Sequence, residues 1–136
     1  MEHYFLSDRE LVKRFANCTL NPELFNHEAH LRLAWIHIKL YGLDKAEKTL
    51  CDQIQKFDLT FGDGTKFHRT LTMAAAKMVN HFMLKSKATD FATFIREFPR
   101  LKTNFRDLLS QHYGVDVYLH SSAKREYLEP DRLPFS

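Results

Sequence analysis

The segment Asn26-His27-Glu28-Ala29-His30-Leu31-Arg32-Leu33-Ala34-Trp35-Ile36-His37-Ile38-Lys39-Leu40-Tyr41 is the most apolar of the chain and carries three of its eight histidines. It opens on Asn, which caps free helix amides, and runs into Gly42, a favourable helix stop. The spacing predicts one helix over 26–41. At about 100° per residue, Glu28, Arg32, Trp35 and Lys39 fall on one narrow stripe, with Glu28 and Arg32 at the i,i+4 spacing of an ion pair. That stripe is expected to face water. The opposite arc holds His27, His30, Ala34, His37 and Tyr41, flanked by Leu31, Leu33, Ile38 and Leu40, so the histidines are expected at the centre of the buried face.

Helical signals continue on both sides. Upstream, Ser7-Asp8-Arg9-Glu10 is a capping box opening a helix whose apolar side is Leu11, Phe15 and Cys18, and Asn21-Pro22 starts a new element. Downstream, Asp44 is the expected cap of a helix over 45–59 with Ala46, Leu50, Ile54 and Phe57 inward, ended by the Gly62-Asp63-Gly64 loop. A fourth helix is predicted over 66–84, a short one over 90–97 stopped by Pro99, and another over 103–113 stopped by Gly114. The alternating Val115-Asp116-Val117-Tyr118-Leu119 has no strand to pair with and reads as a loop, and 115–136 reads as a loop-rich tail. In the fourth helix Thr70, Lys77, His81 and Lys85 share the expected wet side. Leu71, Thr72, Ala75, Met78, Val79 and Phe82 share the inner one, with His68 in their midst. In the last helix His112 joins Phe105, Leu108 and Leu109 on an inward stripe.

At 136 residues, with 44% hydrophobic and 27% charged residues, the chain has the size and composition of one globular domain. The sequence therefore predicts an all-α, single-domain (1–136), compact bundle of five to seven helices. Its net charge is +3, with 20 basic residues scattered among 17 acidic ones, which argues against a nucleic-acid partner. No secretory pattern opens the chain and no apolar run reaches membrane-spanning length, so a cytoplasmic protein without a membrane partner is expected. Cys18 and Cys51 form neither C-x-x-C nor a zinc-finger spacing and are expected to be reduced.

Buried imidazoles need partners for their ring nitrogens, and several together suggest a shared purpose. His27, His30 and His68 are the candidate ligands of one divalent transition metal, since three protein ligands with an open position suit a metal that activates water. Tyr41 and Thr72 are the candidates for orienting a bound water or substrate, and Ala34, Ala75 and Ala76 leave room beside them. Two other readings compete. Neutral histidines could line a pocket for a small organic ligand, or Trp35 could be an exposed anchor for a protein partner. Several named motifs are absent. His27-Glu28-Ala29-His30 is not H-E-x-x-H, because position 31 is Leu31; there is no Glu-x-x-His, no His-Asp dipeptide, and no Gly-Lys-Ser/Thr after Gly62-Asp63-Gly64.

Phe25-Asn26-His27-Glu28-Ala29-His30-Leu31-Arg32-Leu33-Ala34-Trp35, with Phe67-His68-Arg69-Thr70-Leu71-Thr72 and Pro130-Asp131-Arg132-Leu133-Pro134, resembles a group of short, largely uncharacterised bacterial all-helical proteins. These carry an F-x-H-x-x-H-L-x-x-A-W helix, a Tyr-His-Glu-Thr-like helix start and a Pro-Asp tail. The resemblance spans most of the chain and implies that His27, His30 and His68 act as a set. It departs from the pattern at Phe67 and Arg69, where Tyr and an acidic residue are expected.

Overall fold

Ser7 and Glu10 cap the first helix reciprocally: the Ser7 hydroxyl accepts the Glu10 N–H at 3.1 Å, and the Ser7 N–H donates to Glu10 Oε1 at 3.1 Å. From this start α1 (Asp8–Ala16) buries Leu11 and Phe15 completely. It ends before Cys18, a non-glycine residue at φ 56° that therefore sits in the turn rather than on the helix. A computed structural model describes residues 2–135; Met1 and Ser136, the ends of the predicted domain, lie outside the described residues.

After a 3-10 turn at Pro22–Leu24 come α2 (His27–Tyr41), α3 (Leu43–Phe61), α4 (Arg69–Met83), α5 (Phe91–Glu97), α6 (Arg100–Thr103) and α7 (Phe105–Ser110). The protein is an all-α, single-domain bundle, and the described residues form no strand. None of its helices is long and apolar enough to cross a membrane among the described residues. Asn26 caps α2 by accepting the Ala29 N–H at 2.8 Å. Gly42, at φ 86°, is both the last cap of α2 and the first of α3, so α3 starts at Leu43 with no side-chain cap from Asp44. The predicted helix over 103–113 is shorter, α7 over Phe105–Ser110, and Asn104 separates it from α6.

α2 is the axis of the fold and touches α1, α3, α4, α5 and α6. Every residue from Leu31 to Ile38 is buried, including Arg32 and Trp35 of the stripe expected to face water. The stripe is covered by the N-terminal turn at His3–Phe5 on one side and by α5 on the other. Trp35 packs against Phe91 and Phe94, with ring centres 6.3 and 6.5 Å away. Of the stripe, Glu28 is partly exposed and Lys39 reaches solvent, lying over the Trp35 ring and donating to Thr89 O.

The expected wet side of α4 is corrected in the same sense, because the C-terminal segment lies on it. Lys77 is half-buried, its Nζ 3.1 Å from Glu47 Oε2 on α3. Thr70 is fully buried. Its hydroxyl donates to Ala123 O at 2.6 Å, with Glu126 O at 3.0 Å, and accepts the Leu128 N–H at 3.0 Å. Thr70→Val keeps the shape and removes the hydroxyl from Glu126 O and the Leu128 N–H, while Ala123 O keeps the Thr70 N–H at 3.2 Å. It is expected to cost about 1–3 kcal/mol in urea unfolding and to speed amide exchange at Leu128.

Candidate functional site

A cavity of about 330 Å³ lies between α2, α3 and the start of α4. Its wall is mostly aromatic and aliphatic, from Phe25, Ile54, Phe57, Phe61, Phe67 and Leu71; His30, Asp58, Lys66, His68 and Thr72 add polar groups. The volume is in the range of small-molecule pockets, as is an apolar wall with a few convergent polar groups. Phe25, Phe57 and Phe15 form the packed floor, with Phe25–Phe57 ring centres 5.3 Å apart and Phe15–Phe57 4.7 Å apart.

Asp58 holds the rim. It is buried, and its Oδ2 accepts the Lys66 N–H at 2.8 Å and the Phe67 N–H at 2.9 Å, tying the last turn of α3 to the loop that leads into α4. Gly62 sits against it, where an added Cβ would meet Asp58 O and Oδ1 at 3.0 Å each. Sequence reasoning missed Asp58. The available signal was an acid directly after the inward Phe57 and just ahead of the Gly62-Asp63-Gly64 loop, a placement that lets a side chain cap the returning backbone.

His68 is the N-cap of α4 rather than a residue within it. Its Nδ1 accepts the Leu71 N–H at 3.1 Å, so the ring proton is on Nε2, which donates to Val117 O at 3.1 Å. Both nitrogens are thus engaged, and burial lowers the ring's pKa. Thr72 follows one turn later and donates its hydroxyl to His68 O at 2.8 Å, which steadies the cap and leaves the oxygen's lone pairs toward its surroundings.

His30 is the opposite case. Its Nε2 is enclosed and has no hydrogen-bond partner among the described residues. Enclosure pushes its pKa down to about 4, with the nearby His27 adding to the shift, so the ring is neutral at pH 7. The expected metal trio does not converge. His27 turns to the other side of α2, donating from Nε2 to Leu101 O at 3.0 Å against the edge of Phe105; His68 has no free ring nitrogen; and no group of three His, Cys, Asp or Glu side chains that could hold a metal occurs among the described residues. Tyr41 is corrected as well. It is 54% exposed, about three turns and some 16 Å along the axis from His30 at 1.5 Å per residue, with Lys45 Nζ 4.6 Å from its ring centre.

His37 is inward as expected, but neither of its ring nitrogens has a partner among the described residues, and burial lowers its pKa. His112 is half-buried and pairs with the tail, donating from Nδ1 to Leu133 O at 2.7 Å and stacking on Phe135. Cys51 is a buried core thiol whose pKa is pushed up to about 11 by burial, which makes it unreactive at neutral pH.

These neutral imidazoles set a pH response. For His30 the folded pKa, about 4, lies below the ordinary 6.5, so between those values the unfolded chain binds the extra proton and the folded one does not. Stability is complete above about pH 6.5, falls as pH drops toward about 4, and levels below it. The slope is at most about 1.4 kcal/mol per pH unit for one group, and the whole window is on the order of 2 kcal/mol once the solvent-reached edge of the ring is allowed for. Protonating His68 at Nδ1 also removes the α4 cap, in the same direction. Urea midpoints measured from pH 7.5 to 4 are expected to fall in wild type and to fall less steeply in His30→Gln.

No protein family matches the chain, and neither a curated protein nor a solved structure does.

Proposed function

We propose that the protein binds a small organic molecule with a polar group and an aromatic or aliphatic body in the cavity between α2, α3 and α4. The observation that carries this reading is the enclosed Nε2 of His30, without a partner among the described residues, in the wall of a mostly apolar cavity of about 330 Å³. An orphaned imidazole nitrogen costs about 1–3 kcal/mol, and a polar ligand group beside it removes that cost. A half-turn of the ring about its last side-chain bond, a soft torsion, exchanges its two edges toward the cavity. The neutral ring can donate or accept, while Thr72 and Lys66 offer further polar contacts and the phenylalanines contribute apolar burial.

The competing occupant is a divalent transition metal held through His30 with ligands recruited around it. One experiment separates the two. Untagged wild type, His30→Ala and Leu71→Trp, the last filling the cavity from α4, are screened by thermal shift against small polar aromatics and analysed for metal. The proposal expects ligands that raise the wild-type midpoint, lose about tenfold or more in affinity in His30→Ala, and fail with Leu71→Trp, while metal content stays far below one equivalent throughout. One equivalent of metal in wild type that disappears in His30→Ala sinks the organic reading and supports the metal.

A further inference from the structure

A second cavity, of about 470 Å³, lies on the far side of Phe67, between the α3–α4 loop and the segment 121–125. Its polar lining is Gln55, Thr65, Arg69, Ser121, Lys124 and Arg125. Three of these six are cations, and none takes part in an ion pair among the described residues, where all five pairs lie elsewhere. Two acids are near in sequence: Glu126, next to Arg125, is exposed and forms no ion pair among the described residues, and Asp63 accepts both the N–H and the hydroxyl of Thr65.

Two of the three cations, Arg69 and Lys124, are held in place, while the Arg125 side chain is exposed. Arg69 Nε donates to Arg125 O at 3.1 Å, and the guanidinium lies 5.4 Å from the Phe67 ring centre. Its two terminal nitrogens make no hydrogen bond among the described residues. Lys124 Nζ donates to Thr65 O, tying the two walls together. The amides at the start of α4 are already taken, Arg69 N–H by Lys124 O at 2.8 Å and Thr70 N–H by Ala123 O at 3.2 Å. The positive character of the cavity therefore comes from side chains and not from the helix end.

From this arrangement we infer a second binding site, for the phosphoryl group of a small molecule. A half-buried guanidinium with both terminal nitrogens free matches two phosphate oxygens at once, and an ammonium and hydroxyls beside it suit the third. Three cations without carboxylate partners repel one another, and a dianion relieves that repulsion. The concave shape favours a small phosphorylated molecule over a polynucleotide, which would need a basic stripe along the surface. The site is independent of the organic pocket and does not require it to be occupied.

The test is a titration of ¹⁵N-labelled protein with inorganic phosphate and with pyrophosphate at constant ionic strength, with chloride as the control anion. The expected result is saturable amide shifts confined to residues 64–69 and 121–125, tighter for pyrophosphate. Arg125→Gln and Lys124→Gln are each expected to weaken binding about tenfold, the equivalent of one charge-assisted contact, and His30→Ala to leave it unchanged. Arg125→Gln is the safer variant for the fold, because the Arg125 side chain makes no hydrogen bond or ion pair among the described residues. Shifts that chloride reproduces, undiminished affinity in folded Arg125→Gln and Lys124→Gln, or binding of an oligonucleotide with none of phosphate or pyrophosphate would each overturn the inference.

Discussion

Trp35→Ala is expected to destabilise the protein by about 3–5 kcal/mol, the usual cost of emptying a buried Trp site. The indole is 2% exposed and is the surface on which Phe91 and Phe94 of α5 rest. Both of those rings are themselves buried, and α5 has only seven residues, too few to be stable without packing. Removing the indole should therefore free α5 first. Urea unfolding will give the loss in stability, and hydrogen exchange should show residues 91–97 losing protection beyond the global change. Trp35→Phe should retain most of the packing. If Trp35 were instead a surface anchor for a partner, the alanine variant would stay within about 0.5 kcal/mol of wild type and lose only association.

Arg32→Ala is expected to cost about 3 kcal/mol, the lower end for breaking a buried charge pair, since the partner carboxylate is half exposed. The Arg32 guanidinium is buried and donates to His3 O and Leu6 O, at 2.8 Å each, and to Asp8 Oδ1 at 2.9 Å from Nη2 and 3.2 Å from Nε. It also donates to His3 Nδ1 at 3.1 Å, which presents the other ring nitrogen to Glu28 Oε1 3.4 Å away. One side chain thus fastens the N-terminal turn to the central helix. A lysine has no fork to reach those acceptors together, so Arg32→Lys should recover little. Asp8→Asn removes only the half-exposed carboxylate charge and should cost about 1 kcal/mol or less. Amide exchange at residues 3–8 should rise sharply in Arg32→Ala and barely in Asp8→Asn.

These two residues also mark where the sequence misleads. Glu28, Arg32, Trp35 and Lys39 do share one stripe of α2, and the boundaries of that helix, its Asn26 cap and its Gly42 stop were legible because local chemistry specifies them. What covers the stripe was not. A helical wheel shows which residues lie together; it cannot distinguish solvent from a returning segment that supplies carbonyls, and α2 is enclosed on nearly all sides. Thr70 and Lys77 were misplaced for the same reason, since their partners Ala123, Glu126, Leu128 and Glu47 are distant in sequence.

The site was legible in part. His30, His68 and Thr72 do border one cavity, as the inward arcs of α2 and α4 suggested. His27 and Tyr41 do not: a first-turn residue can swing to a neighbouring helix, here α6, and the last residue of a long helix lies far from the first. His68 was expected within a helix, but it takes a role normally filled by Ser, Asn or Asp, capping α4 through a neutral ring. That choice decides its chemistry, because a ring that accepts one backbone N–H and donates to one carbonyl has nothing left for a metal.

The central claim is that the cavity beside His30 is a binding site for a small organic molecule. Its most direct test is an NMR titration of imidazole-labelled protein with a stabilising hit, following the His27, His30 and His68 ring nitrogens together with backbone amides. A shift of the His30 ring that saturates with ligand, alongside amide shifts at Phe57, Phe67 and Leu71 and with His27 undisturbed, is the predicted result. Ligand binding that leaves the His30 ring and those amides unmoved, or a divalent metal that shifts all three histidine rings at one equivalent, would contradict it.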